Sequence, residues 1–178
     1  MSSRFSIFEQ PYRLSTDQID FYRENQFIKL KNVFDESVLK YYSKIISDKV
    51  QQLNTQHLPL EQRSTYDKAF LQIMNIWTHD EDVKRFVFNK RLAQIATELM
   101  GVTGVRMYHD QALFKEVGGG FTPWHADQYY WPLSNDNAIT AWIPMQETSL
   151  DMGPLEFSAQ SYKLQGGRNL AISDDSEN

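Results

Sequence analysis

Val105-Arg106-Met107-Tyr108-His109-Asp110-Gln111-Ala112-Leu113-Phe114-Lys115-Glu116 mixes β-branched and aromatic residues with no helical repeat. Gly118-Gly119-Gly120 then breaks the run, as a sharp loop would. Phe121 to Trp131 is aromatic-rich, and Ala138 to Met145 is a second apolar stretch between Asn135-Asp136-Asn137 and Pro144. Leu155 to Ser158 is a short third one. Short strands separated by Gly, Pro and Asn turns point to a double-sheet β-core.

Upstream of this run the pattern is mostly helical. Ser15-Thr16-Asp17-Gln18 has capping-box spacing, which predicts a short helix to Glu24 with Asn25 taking the left-handed end. Phe27-Ile28-Lys29-Leu30-Lys31 alternates apolar and basic residues and reads as a strand. Asp35 can cap a second helix, with Val38, Leu39, Tyr42, Ile45 and Ile46 at helical spacing. Asn54 to Lys68 is polar, carries Pro59 and reads as a loop. Thr78-His79-Asp80-Glu81 is a further capping box, opening one helix over 80–100 that ends at Gly101. Helices first and strands later give an α+β chain, with a helical part over about 1–104 and a β-core over about 105–178.

Composition narrows the function. The 178 residues hold 11 Phe, 9 Tyr and 4 Trp, enough large side chains for one domain's core. A net charge of −5 disfavours nucleic-acid binding, which needs clustered Lys and Arg. No apolar run is long enough to predict a membrane span, and the N-terminus does not read as a secretory signal. With no Cys, thiolate chemistry is excluded and a cytoplasmic location fits. Any metal must use the four His and the carboxylates.

Trp124-His125-Ala126-Asp127 is the sharpest chemical feature. On a strand, residues two apart face the same side, so His125 and Asp127 would aim an imidazole and a carboxylate at one point. That is two members of a 2-His-1-carboxylate set, which leaves coordination positions open on Fe(II). Four His among 178 residues produce such a spacing with an Asp by chance in roughly one chain in three, so a surface His beside an exposed Asp fits the spacing too. His57 lies in the polar loop, His79 within a capping box, and His109 on a strand, as a ligand or a hydrogen-bonded core His.

The segments Tyr108 to Lys115, Gly118-Gly119-Gly120, Thr122 to Gln128, Thr140-Ala141-Trp142-Ile143-Pro144-Met145, Gly153-Pro154-Leu155-Glu156-Phe157 and Ser161-Tyr162-Lys163, in this order, resemble the phytanoyl-CoA dioxygenase family. The stretch 80–102 is similar to the helix that precedes the barrel there. The resemblance covers the chain from about Asp17 onward. It implies a double-stranded β-helix, a jelly roll with the N-terminal helices packed outside. It also implies Fe(II) and 2-oxoglutarate, with O2 and a small organic substrate, in a hydroxylating dioxygenase. His125 and Asp127 carry over as iron ligands. Gln111, Lys115 and Trp142 fall at cosubstrate positions, although each also reads as a strand amide, an edge charge and a core ring. Tyr129 and Trp131, beside the metal motif, suggest an aromatic substrate pocket.

The chain also departs from that pattern. Ala159-Gln160-Ser161-Tyr162 stands where relatives often have Pro-Gly-Ser-His. No His follows His125, so the distal iron ligand is not in the sequence. Arg168, beside Gly166-Gly167, is not in register for the cosubstrate Arg. Ser173-Asp174-Asp175-Ser176-Glu177 reads either as a disordered acidic tail or as the start of a helix. The expectation is therefore an incomplete, apparently truncated barrel: either the polypeptide continues past Asn178, or a partner chain, such as a second copy in a homo-oligomer, covers the open face. The competing expectation is a non-catalytic jelly-roll module that has lost the metal triad.

Overall fold

The computed structural model describes residues 3–164 and 171–172. Arg168 and Ser173 to Glu177 lie outside the described residues. Five helices dominate: α1 (Thr16–Asn25), α2 (Glu36–Leu53), α3 (Thr65–Ala69), α4 (Glu81–Val87) and α5 (Lys90–Met100). Two strands, β1 (Leu71–Met74) and β2 (Gln111–Phe114), pair antiparallel with Leu71 opposite Phe114 and Met74 opposite Gln111.

The helix ends follow from capping. Ser15 Oγ accepts from Gln18 N–H while the Gln18 side chain accepts from Ser15 N–H, the reciprocal box the sequence predicts. The left-handed residue at the end of α1 is Gln26 (φ 64°), one past the expected Asn25. The expected helix over 80–100 is two helices. Its start is capped by Asp80, whose Oδ1 accepts from Asp82 and Val83 N–H, and not by Thr78. Buried Asn89 makes the break: Oδ1 accepts from Leu92 N–H at the start of α5, and Nδ2 donates to Phe86 O at the end of α4. Gly101 closes α5 at φ 67°, as expected.

Three apolar clusters hold these helices. Phe8, Phe34, Val38, Tyr42 and Phe86 form the first, with Tyr42 and Phe86 stacked at 4.5 Å. Tyr22, Ile95 and Leu99 join α1 to α5. Val50, Ile76 and Val83 form the third, and one face of the sheet, through Leu71, Ile73 and Ala112, packs on it. By register, Gln72, Met74, Gln111 and Leu113 project from the other face.

The double-sheet jelly roll expected for the β-core is not seen among the described residues, which hold only this two-stranded sheet. The expected strand over 105–116 shrinks to Gln111–Phe114, and β1 arises where no strand was expected. Residues 27–31, 138–145 and 155–158 are extended or irregular and unpaired. The alternation that suggested strands is nonetheless real. Ile28 and Leu30 turn onto the second cluster, Ile139 onto the same cluster, and Ile143 and Met145 onto the first. Period-two burial needs only an extended backbone against a core, whereas a strand also needs a hydrogen-bonding neighbour. The helical core supplies apolar contact to these segments and no backbone ladder.

Candidate metal centre

The expected loop over 54–68 is clamped. It contains α3, capped by Ser64 Oγ, which accepts from Asp67 N–H. Arg63 is paired with Glu116, and Gly120 N–H donates to Lys68 O at 2.9 Å. A Cβ at Gly119 would stand 2.9 Å from Lys68 O, so only glycine allows this approach. The glycine triplet thus anchors the loop that leads into the His125 motif.

His125 and Asp127 do converge, by a different route from the one expected. Asp127 opens a 3-10 turn (Asp127–Tyr129), and no strand carries the pair. Ala126 between them is extended (φ −112°, ψ 123°), which suffices to send its two neighbours to one side. His125 Nε2 lies 3.3 Å from Asp127 Oδ1, and the side chains are 29% and 46% exposed. His125 Nδ1 is 2.8 Å from Pro123 O. A carbonyl can only accept, so Nδ1 carries the proton, and the neutral ring presents its Nε2 lone pair to the carboxylate. Two lone pairs at this distance repel unless a cation lies between them. A proton is one solution: the Asp127 hydrogen bond raises the His125 pKa, partly opposed by burial and helped by the Pro123 carbonyl and the Asp127 charge. A metal ion is the other. Two donors about 2.1 Å from one ion in adjacent octahedral positions stand about 3.0 Å apart, close to the spacing found. The carbonyl-bound Nδ1–H is also the outer contact that orients metal-binding imidazoles. The pair therefore fits a divalent ion at two positions. No group of three His, Asp or Glu converges among the described residues.

The other expected site residues are spread around this pair. Gln111 Oε1 accepts from Gln72 Nε2 at 2.6 Å, and Gln72 Oε1 accepts from Tyr66 O–H at 2.6 Å. Burial raises the Tyr66 pKa, and the nearby Tyr130 and Asp127 raise it further. Gln111 is thus linked to the surroundings of Asp127 through two residues, Tyr66 and Gln72, that sequence reasoning missed. The only local signal was the Ser64-x-x-Asp67 cap. Lys115 Nζ donates to Gly120 O at 2.5 Å and lies 5.0 Å from the Phe70 ring centre, so its ammonium serves the loop anchor. Trp142 is exposed, on the side opposite Ile143 and Met145. Tyr129 meets Tyr130 edge-on at 4.8 Å, and Trp131 packs near His109 and Tyr108 at 6.3 Å. His109 is accordingly held edge-on between the Tyr108 and Trp131 rings. Two concave sites, one lined by Asp17, Phe21, Phe27 and Lys29 and the other by Ser37, Tyr41 and Ile45, do not include the His125 motif. No helix among the described residues is long and apolar enough to cross a membrane.

No curated protein and no solved structure matches the chain. The family model described as Phytanoyl-CoA dioxygenase (PhyH) matches residues 22–177, a span that takes in the end of α1, α2 to α5, both strands and the His125–Asp127 pair. The chain belongs to the phytanoyl-CoA dioxygenase family.

Proposed function

We propose that this protein is a non-haem Fe(II)- and 2-oxoglutarate-dependent dioxygenase that hydroxylates a small organic substrate. The observation that carries this reading is the facing of His125 Nε2 and Asp127 Oδ1 at 3.3 Å with His125 Nδ1 tied to Pro123 O. Family membership supports the choice of metal and cosubstrate. Bound Fe(II), chelated by 2-oxoglutarate and open to O2, would supply the oxidative decarboxylation that gives succinate and CO2 and hydroxylates the substrate.

In this reading His125 and Asp127 hold the ion as neutral imidazole and carboxylate. Pro123 O keeps the His125 proton on Nδ1, so that Nε2 stays a donor. Gln111 reaches the cosubstrate with its amide, and Tyr129 and Trp131 contribute aromatic walls for the substrate. Lys115 and Trp142 would have to turn from their positions here to touch the cosubstrate. The jelly roll is part of the proposal, supported by the alternating burial of the unpaired extended segments. Closing it, and adding a third protein ligand, requires groups outside the described residues.

One observation favours a second reading. Only two ligands converge among the described residues, as in a binding module that has lost the triad. Anaerobic titration with Mn(II) and then 2-oxoglutarate separates the two. The dioxygenase reading expects metal-dependent 2-oxoglutarate binding that His125→Ala abolishes. The module reading expects none.

A further inference from the structure

Both polar backbone groups of Gly120 are taken. Its N–H donates to Lys68 O at 2.9 Å, and its carbonyl accepts from Lys115 Nζ at 2.5 Å. An ammonium can only donate, so the direction of this bond is fixed. The same ammonium lies 5.0 Å from the Phe70 ring centre. A Cβ at Gly153 would stand 3.5 Å from Lys115 Cε and 3.6 Å from Nζ. Lys115 thus ties the end of β2 to residues 70, 120 and 153. From Gly120 the chain reaches His125 with little freedom. Thr122 Oγ1 and the whole of Pro123 are buried, and the Pro123 ring fixes its own φ. Pro123 O then receives the His125 Nδ1 proton at 2.8 Å. The imidazole is oriented by a carbonyl that hangs from the Gly120 anchor.

We propose that Lys115 is a positioning residue for the metal pair: by holding the Gly120 carbonyl it fixes the track through Pro123 that aims His125 Nε2 at Asp127, and it does not bind the cosubstrate. This inference rests on the metal site proposed above. The two roles exclude each other, because an ammonium that reached a 2-oxoglutarate carboxylate would release Gly120 O. A bond from an ammonium to a part-buried carbonyl is among the stronger single hydrogen bonds, so its loss frees the loop. Charge alone predicts the opposite effect on the metal. A cation repels a divalent ion, and deleting it would tighten metal binding. Positioning predicts that deleting it loosens metal binding.

The test measures Mn(II) affinity of the full chain by EPR titration and, separately, 2-oxoglutarate affinity at saturating Mn(II) by anaerobic calorimetry. Lys115→Met keeps an apolar stem and removes the donor. It should weaken Mn(II) binding roughly tenfold and leave 2-oxoglutarate affinity within about twofold. Lys115→Arg can still donate to Gly120 O and should recover most of that loss. Asn89→Ala loosens the joint between α4 and α5 and should leave Mn(II) affinity unchanged. An equal loss in Asn89→Ala would trace the effect to general destabilisation and overturn the inference. Unchanged or tighter Mn(II) binding in Lys115→Met, no recovery in Lys115→Arg, or a loss confined to 2-oxoglutarate affinity also overturns it. The metal site itself stands in each of these cases if His125→Ala still weakens Mn(II) binding. No Mn(II) binding by the unaltered chain overturns both the inference and the site beneath it.

Discussion

Residues 3–104 and residues 105–164 are built from similar proportions of apolar side chain and end up differently. In the first stretch five helices bury Phe8, Tyr42, Ile76, Phe86, Leu99 and their neighbours in three clusters. In the second, Pro123 is the buried residue among those described, while Val117, Phe121, Trp124, Leu150, Phe157 and Leu164 are more than half exposed. The difference is one of hydrogen bonding before it is one of hydrophobicity. A helix satisfies its backbone within four residues, so it can form before it packs. An extended segment needs a neighbour that is distant in sequence, and among the described residues only β1 and β2 find each other. The His125–Asp127 pair lies in the second stretch, whose loop is fastened to the first by Arg63–Glu116 and Gly120–Lys68.

The contrast is most exposed to test at Phe86, which touches Phe8, Phe34 and Tyr42. Phe86→Ala should cost about 3–5 kcal/mol in urea unfolding. A loss below about 1 kcal/mol would mean that the first cluster does not carry the fold. The metal pair should behave in the opposite way. His125→Ala or Asp127→Ala should lower Mn(II) affinity at least about 100-fold and move the unfolding midpoint little, because both side chains are part-exposed.

Metal affinity should also rise with pH through the raised His125 pKa, since the ion must displace a proton from Nε2. The sign for the metal-free fold is the reverse. The protonated His125–Asp127 pair stabilises at low pH, and that contribution is lost as pH climbs through the folded-state value. Asp127→Asn removes the largest cause and should bring the His125 titration, followed by NMR, down toward its ordinary range.

Smaller effects probe the joints. Asn89→Ala removes a cap and a link between α4 and α5, and should cost about 1–2 kcal/mol by thermal unfolding. Ile143→Ala should cost about 1 kcal/mol because Ile143 is only part-buried against the first cluster, and no loss at all would mean that the extended segment does not pack there in solution. Asp110 has a pKa raised by burial and only partly restored by hydrogen bonds, Trp77 N–H among them. A carboxyl with a raised folded-state pKa disfavours folding once ionised. Asp110→Asn, which keeps an acceptor oxygen, should therefore gain less than about 1 kcal/mol at pH 7 and lose that gain in acid.

Local rules were legible in the sequence. The Ser15 box, the helix beginning after Asp35 and the Gly101 stop depend on neighbours within a few residues, and the structure has all three. The joining of His125 to Asp127 was legible for the same reason, because one extended residue between them is enough. The family could be recognised from the order of short motifs. Tertiary structure decided the rest. The break at Asn89 depends on an amide reaching both Phe86 and Leu92. Strand pairing followed partners that alternation does not name, so 27–31 and 138–145 stayed unladdered while 71–74 became a strand. Tyr66 and Gln72 joined Gln111 only because the sheet register and the clamped loop brought them there. Contacts within one turn are written in adjacent residues, whereas a partner 39 positions away, as Gln111 is from Gln72, is chosen by the packing of everything between them.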